Sequence, residues 1–229
     1  MTLVQDRAGS VFDCRRALLA GPLGRAGGVA VFANLPDAAT VDALRNEALA
    51  LFEQADRQEH QGPDPEDWRG GLPPRALCTA GAGPVQDALY SQSWLAASLT
   101  EQCGVPIVPS GNRGSYSYYV APGDYLGLHL DVVTCDVTLI TVLQETTPMG
   151  AGGALAVYRH HAGAPLRDVR AAPDVGVELV KAAPGQSIVL LGGLVPHCTV
   201  PLGPSGQRVI SALCFQVAET ARAAPHSFV

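Results

Sequence analysis

The chain has 229 residues, of which 47% are apolar and 16% are charged, so it can bury a substantial hydrophobic core. Its formal net charge is −6, and Lys181 is the single lysine among 15 basic residues. This balance argues against a nucleic-acid partner, because phosphate backbones are bound by clustered lysine and arginine. Without an apolar run of membrane-spanning length or a signal-peptide pattern, we expect a cytoplasmic protein with no membrane partner. These features do not indicate an oligomeric state.

The cysteines show no C-x-x-C spacing, so the sequence indicates neither a disulfide framework nor a zinc ribbon. We expect them to be reduced thiols, mostly buried. The six residues are Cys14, Cys78, Cys103, Cys135, Cys198 and Cys214.

The first half of the chain predicts helices around one short strand. The strand lies within Gly27–Pro36, and apolar residues at helical spacing then predict an amphipathic helix over residues 38–57. Residues 58–75 are polar and rich in proline and glycine, which is typical of a long loop. A second helix is expected from Pro84 to Cys103.

After Val105, short β-branched runs separated by glycine and proline predict strands. The pattern is typical of a β-sandwich or barrel with the helices packed outside it. We expect one domain over residues 1–229, with a helical support region (1–105), a β-core (106–219) and a short tail (220–229). The predicted strands are Gly114–Val120, Tyr125–Leu130, Asp136–Leu143, Ala154–Tyr158, Glu178–Ala182, Ser187–Leu191, His197–Val200 and Arg208–Val217.

The β-rich half of the chain contains a candidate metal site. His129 and Asp131 form a His-x-Asp pair at the end of a predicted strand, and His197 opens a later one. Two imidazoles and one carboxylate are the ligands that hold non-haem Fe(II) while leaving coordination positions open. Arg208 begins the last predicted strand, where its guanidinium could hold an anionic co-substrate in the same cavity.

Each of these residues has an ordinary explanation when taken alone. His-x-Asp triplets occur by chance, His197 could be a partly buried histidine, and Arg208 could form a surface ion pair worth about 0–1 kcal/mol. What favours a site is that the residues occur in this order between four glycine-containing turns. These turns are Pro122-Gly123, Gly152-Gly153-Ala154-Leu155, Pro184-Gly185 and Gly206-Gln207-Arg208.

With these motifs, the stretch from Tyr116 to Val217 resembles the Fe(II)/2-oxoglutarate-dependent dioxygenases, in particular the branch similar to prolyl 4-hydroxylase. The resemblance implies a mainly β protein with flanking N-terminal helices and a double-stranded β-helix core (jelly roll, cupin-like). It implies Fe(II), 2-oxoglutarate and O2 as metal and co-substrates. The expected activity is oxidation of a substrate C–H bond, coupled to decarboxylation of 2-oxoglutarate to succinate.

The resemblance also implies roles for individual residues. His129, Asp131 and His197 correspond to the iron ligands, and no further catalytic residue is implied. Arg208 corresponds to the residue that binds the distal carboxylate of 2-oxoglutarate. Tyr118 and Ser211 are additional candidates for contact with the co-substrate.

Four further residues are candidates for contact with the substrate: Trp68 in the long loop, Arg113 and Tyr116 near the first core strand, and Arg159. The first hypothesis is hydroxylation, or another oxidation, of a small molecule such as an amino acid or derivative in bacterial specialised metabolism. One alternative is an oxygenase acting on a protein or peptide residue, as prolyl hydroxylases do. Another is a non-catalytic barrel that binds a metal.

Overall fold

A computed structural model describes residues 14–148 and 151–219. Residues 14–20 are helical. The other α-helices are α1 (Pro22–Arg25), α2 (Ala38–Leu51), α3 (Pro84–Tyr90), α4 (Ser93–Cys103) and α5 (Leu166–Ala171), with 3-10 turns at Phe52–Gln54 and Arg159–His161. The strands are β1 (Val29–Phe32), β2 (Asp56–His60), β3 (Arg75–Gly81), β4 (Ile107–Pro109), β5 (Ser115–Tyr119), β6 (Tyr125–His129), β7 (Val137–Glu145), β8 (Leu155–Val157), β9 (Glu178–Val180), β10 (Ser187–Leu190), β11 (His197–Thr199) and β12 (Arg208–Val217).

These strands form one antiparallel sheet that curls on itself. Neighbouring strands follow the order β1-β10-β7-β12-β5-β3-β6-β11-β8-β9, while β2 pairs with β3 and β4 pairs with β12. Consecutive strands are often far apart in this order, as expected when a chain winds a jelly roll from two interleaved halves. The predicted mainly β fold with N-terminal helices is confirmed.

Helix α2 covers the outer face of the sheet and is held there by polar contacts. Asp37 caps it by accepting a hydrogen bond from the Thr40 backbone N–H at 2.8 Å. On its sheet-facing side, Arg45 donates to the Leu143 carbonyl oxygen in β7 at 2.8 Å. No helix in the described ranges is long and apolar enough to cross a membrane.

The N-terminal half differs from its prediction in three places, one of which is strand β3 (Arg75–Gly81), where no strand was predicted. The helix predicted to reach residue 57 ends at Leu51, and residues 56–60 form an edge strand instead of the start of a loop. Their polar sequence has no apolar alternation, because β2 pairs only with β3 and is largely solvent-facing. The second helix is interrupted at Gln92, whose extended backbone (φ −73°, ψ 123°) separates α3 from α4.

The expectation that the cysteines are reduced is wrong for one pair. Cys135 and Cys214 form a disulfide although 79 residues separate them in the sequence. The pair forms because β7 and β12 are hydrogen-bonded neighbours, which brings the two Cα atoms to 5.0 Å. Sequence spacing carries no sign of this contact. Cys78, Cys103 and Cys198 are free thiols.

Candidate metal centre

The structure brings the predicted ligands together at one end of the barrel. His129 ends β6 and His197 begins β11, and the two residues lie directly opposite each other in the antiparallel ladder. Asp131 follows two residues after His129 and lies between the rings. Its Oδ1 is 3.4 Å from His129 Nε2 and 3.6 Å from His197 Nε2. In the part of the chain that the structure describes, this trio is the one His/Cys/Asp/Glu group with metal-ligand spacing, its ligand atoms within 4.8 Å of one another.

Hydrogen bonds to the backbone orient both imidazoles. His129 Nδ1 lies 2.8 Å from the Gly127 carbonyl oxygen, and His197 Nδ1 lies 2.9 Å from that of Val195. A carbonyl can only accept, so both rings carry their proton on Nδ1 when neutral and present the Nε2 lone pair toward Asp131. This second layer of contacts fixes the ring orientation that a metal ligand requires.

The acidities of the three groups reflect their burial and mutual contact. Burial raises the pKa of Asp131, but the two imidazoles more than offset this and hold its pKa well below the usual range. Burial and the neighbouring His197 lower the pKa of His129. Burial also lowers the pKa of His197, but the Asp131 carboxylate outweighs it, and the net pKa is raised. The carboxylate is therefore ionised before any cation arrives.

The Gly192-Gly193 turn permits the close approach of two side chains. A Cβ on Gly192 would overlap the Asp131 carboxylate, and a Cβ on Gly193 would overlap the guanidinium of Arg69. The Gly192 carbonyl oxygen also accepts a hydrogen bond from the Asp131 backbone N–H at 2.9 Å. Asp131 therefore packs against this turn, and the Thr138 hydroxyl donates a hydrogen bond to its Oδ2.

Arg208 lies inside the barrel, at the start of β12. Its side chain is 2% exposed, and Nη1 donates to the Gly153 carbonyl oxygen. Nη1 is also 3.9 Å from the Glu145 carboxylate, while the buried Nε has no hydrogen-bond partner among the described residues. A buried guanidinium with an unused N–H donor is suited to bind a carboxylate.

Tyr119 shares the interior face with Arg208, which lies opposite it in the β5–β12 ladder. The Tyr119 hydroxyl is 3.2 Å from the Thr199 hydroxyl on β11. Burial raises the pKa of the Tyr119 phenol, although Thr199, Arg208 and Arg75 act in the opposite direction. Tyr119 is not among the candidates taken from the sequence, which include its neighbour Tyr118.

Three predicted residues face the helices on the outer side of β5 and β12. The Tyr118 hydroxyl donates to the Ala48 carbonyl oxygen at 2.7 Å, and the Tyr116 hydroxyl donates to Glu47 at 2.5 Å. The Ser211 hydroxyl accepts a hydrogen bond from Gln86 Nε2 at 2.7 Å. The structure therefore does not bring these three side chains to the interior, whereas the side chain of Tyr119 lies there.

The other substrate candidates are not among the residues that line the cleft at His129 and Asp131. Arg113 has a side chain 70% exposed and pairs with Asp87 at 3.0 Å. Arg159 pairs with Glu178 at 2.7 Å and donates to the Ala26 carbonyl oxygen, so it anchors the N-terminal segment. Trp68 lines a separate pocket, with the guanidinium of Arg15 over its ring.

A cleft of about 420 Å³ opens onto the triad, and we refer to it as the metal cleft. It is lined by Gly71, Pro73, Arg75, Asn112, Gly114, Ser115, Leu126, His129, Leu130, Asp131, Val132, Thr138, Ala212 and Cys214. Its size is within the range of small-molecule sites.

Comparison of this fold with solved structures gives consistent neighbours. A Pseudomonas putida prolyl-4-hydroxylase superposes with a TM-score of 0.56 at 16% identity, covering 90% of this chain and 98% of that one. The non-haem α-ketoglutarate-dependent epimerase SnoN from nogalamycin biosynthesis gives 0.61 at 13% identity, covering 90% and 84%. HygX from Streptomyces hygroscopicus, with nickel, 2-oxoglutarate and hygromycin B bound, gives 0.58 at 16% identity, covering 83% of each chain.

The fold is that of the Fe(II)/2-oxoglutarate oxygenases. The resemblance first noted in the motifs is therefore confirmed at the level of structure. No protein-family model matches the sequence, and no curated protein matches it. At these identities the likeness establishes the fold, while the chemistry has to be argued from the side chains.

Proposed function

We propose that the chain is an Fe(II)- and 2-oxoglutarate-dependent oxygenase that hydroxylates, or otherwise oxidises, a C–H bond of a small molecule. The observation that carries this proposal is the convergence of His129 Nε2, His197 Nε2 and Asp131 Oδ1, with His129 and Asp131 lining the metal cleft. Two imidazole nitrogens and one carboxylate oxygen suit Fe(II) and leave positions for exogenous ligands. The bound metal would supply activation of O2 coupled to decarboxylation of the co-substrate.

The co-substrate also has suitable partners in the barrel. Arg208 offers a buried positive charge with an unpartnered Nε, which fits the distal carboxylate of 2-oxoglutarate. Tyr119 places a phenol on the same face, within hydrogen-bond distance of the Thr199 hydroxyl. These residues would bind and orient the co-substrate with its other end toward the triad, and the apolar barrel interior would limit access of water.

The size of the cleft favours a small substrate over a large polymer. HygX, whose structure holds hygromycin B, is an example of this fold around a small molecule, and SnoN comes from a biosynthetic pathway. We extend the proposal to a role in bacterial specialised metabolism in the cytoplasm, as expected from the sequence. The net charge of −6 is consistent with the absence of a nucleic-acid substrate.

Succinate formation tests the proposal directly. Purified protein with Fe(II), ascorbate and 2-oxoglutarate should release succinate slowly without substrate and faster with one. His197→Ala should abolish both rates, because it removes a ligand. His160→Ala is the matched control, since His160 is exposed in the 3-10 turn and should retain full activity. Metal-independent succinate release, or full activity in His197→Ala, would reject the assignment.

A further inference from the structure

The metal cleft contains one charged side chain that the proposed chemistry does not use. Apart from the ligands His129 and Asp131, the sole charged lining residue is Arg75. Its Nε donates to the Pro73 carbonyl oxygen at 3.1 Å. Among the described residues, no carboxylate lies within 4.0 Å of Arg75. Arg75 therefore adds a positive charge to the lining of the cleft, with no carboxylate of the described residues at ion-pair distance.

Strand register places Arg75 on the inner face of the barrel. Cys78 lies opposite Tyr118 in the β3–β5 ladder, and residues directly opposite one another in an antiparallel pair project to the same face. Tyr118 faces the outer side, where its hydroxyl donates to the Ala48 carbonyl oxygen. Arg75 lies three residues before Cys78 on β3, so strand alternation turns its side chain to the interior face. Both the list of residues that line the cleft and the strand pairing therefore place Arg75 on the interior side of the barrel.

Arg75 and Arg208 occupy different environments. Arg208 is buried, lies opposite Glu145 and is already engaged with the Gly153 carbonyl oxygen deep in the barrel. Arg75 is only partly buried and lines the open cleft beside Pro73 and Leu126. Two guanidinium groups at two depths can hold two different anions at once. The fully buried Arg208 suits 2-oxoglutarate, a co-substrate of fixed structure. Arg75 lies in the open cleft, where it can contact a substrate that binds after 2-oxoglutarate.

The remaining lining limits what that molecule can be. Leu126, Leu130 and Val132 supply apolar surface next to Arg75. The single lining carboxylate is that of Asp131, which the metal requires. A substrate ammonium group would therefore find no anionic partner in the cleft, whereas a carboxylate would find a planar, bidentate donor.

We propose that Arg75 binds the carboxylate of the substrate, and that the substrate is an anionic molecule with an apolar body and no free ammonium group, such as an N-acylated apolar amino acid. This inference rests on the proposed function, because it assumes that the triad holds the metal and that Arg208 holds 2-oxoglutarate. Arg75 then acts as a specificity-determining residue that orients the substrate by its acidic end. Free amino acids, the broader class suggested by the sequence, are disfavoured.

The test uses the full chain loaded with Ni(II), as a redox-inert substitute for Fe(II), and 2-oxoglutarate. Calorimetry measures binding of the N-acetyl derivatives of leucine, phenylalanine, valine and proline, each beside its uncharged carboxamide and its free amino acid. We expect at least one N-acetyl acid to bind roughly 10- to 100-fold more tightly than its carboxamide, the factor typical of a charge-assisted hydrogen bond. The free amino acid should bind more weakly than the N-acetyl acid.

Three variants separate the role of Arg75 from general effects. Arg75→Gln should reduce binding of the acid to the level of the carboxamide, while Arg75→Lys should restore part of the preference. Arg16→Gln is the matched control, because it removes an equal charge from an exposed residue and should change nothing. All three should load Ni(II) and 2-oxoglutarate as the wild type does, which also shows that they are folded.

Equal binding of acid and carboxamide to the wild type would overturn the inference, and so would a preference that survives in Arg75→Gln. Loss of 2-oxoglutarate loading in Arg75→Gln would assign this residue to the co-substrate and overturn it as well. Failure of the wild type to load 2-oxoglutarate would instead overturn the proposed function, and the loading step reveals this before any substrate is added.

Discussion

Arg69 donates from Nε to the backbone carbonyl oxygen of Asp131 at 3.1 Å, so a side chain outside the metal site holds the segment that carries the carboxylate ligand. The same guanidinium donates to the carbonyl oxygens of Val132 and Cys135 and pairs with Asp136 at 2.7 Å. One side chain, 10% exposed, thereby spans the whole turn from residue 131 to 136. We infer that Arg69 positions Asp131 without touching the metal.

Arg69→Ala should therefore weaken metal binding and lower stability. Removing one partner of a buried ion pair typically costs about 3–5 kcal/mol. We expect the affinity for Ni(II) to fall at least about tenfold, and calorimetry measures it. Arg69→Lys keeps the charge next to Asp136 but cannot span three carbonyl groups, so it should recover stability more than affinity. Unchanged metal affinity in Arg69→Ala would limit Arg69 to a packing role.

Metal binding should depend on pH through His197. Its pKa is raised, because the Asp131 carboxylate outweighs the effect of burial, so a proton competes for Nε2 at a higher pH than at an ordinary histidine. As pH falls through this raised pKa, the affinity for Ni(II) should drop about tenfold per unit. Asp131, with its lowered pKa, should stay ionised over the same range. Titration calorimetry between pH 5.5 and 8 measures the effect, and a flat profile would contradict it.

Two adjacent tyrosines offer a sharp test of the co-substrate site. Tyr119→Phe should weaken 2-oxoglutarate binding several-fold, because the Tyr119 hydroxyl lies on the interior face with Arg208. Tyr118→Phe should leave that binding unchanged and cost about 1 kcal/mol of stability, through loss of its hydrogen bond to Ala48. Calorimetry and urea unfolding separate the two effects. The reverse result would return the role to Tyr118.

Glu47 should matter for stability rather than for activity. Its carboxylate accepts hydrogen bonds from the backbone N–H groups of Val85 and Gln86 at the start of α3, and from the Tyr116 hydroxyl. Glu47→Ala removes all three, so the free energy of unfolding should fall by about 2–4 kcal/mol. Urea unfolding measures this loss. A comparable loss of 2-oxoglutarate affinity in the folded variant would show that the outer network also shapes the barrel interior.

The three residues that the structure brings together could be selected from the sequence because the signals around each of them are local. His129 and Asp131 sit one residue apart, and His197 follows a Gly-Gly turn whose small residues leave room for Asp131 and Arg69. Glycine and proline mark such turns in a single sequence, and these turns set the limits of the predicted strands in the β-rich half. The strands that carry the site were therefore predicted close to their observed bounds.

Residues that depend on strand register could not be assigned in the same way. Alternation shows that Tyr116 and Tyr118 share a face and that Tyr119 takes the other, but it does not show which face is interior. Only the helix contacts of Tyr118 and the pairing of Tyr119 with Arg208 decide this. Arg75 was hidden for a related reason, because its surroundings were interpreted as loop and β3 was not recognised.

The central claim is that the triad and the barrel interior hold Fe(II) and 2-oxoglutarate together. The most direct measurement is visible absorption of the anaerobic protein with Fe(II) and 2-oxoglutarate, each alone and both combined. We expect a weak charge-transfer band that requires both components and is absent in His197→Ala. If the wild type gives no band although Fe(II) binds, 2-oxoglutarate does not reach the metal, and the proposed function is contradicted.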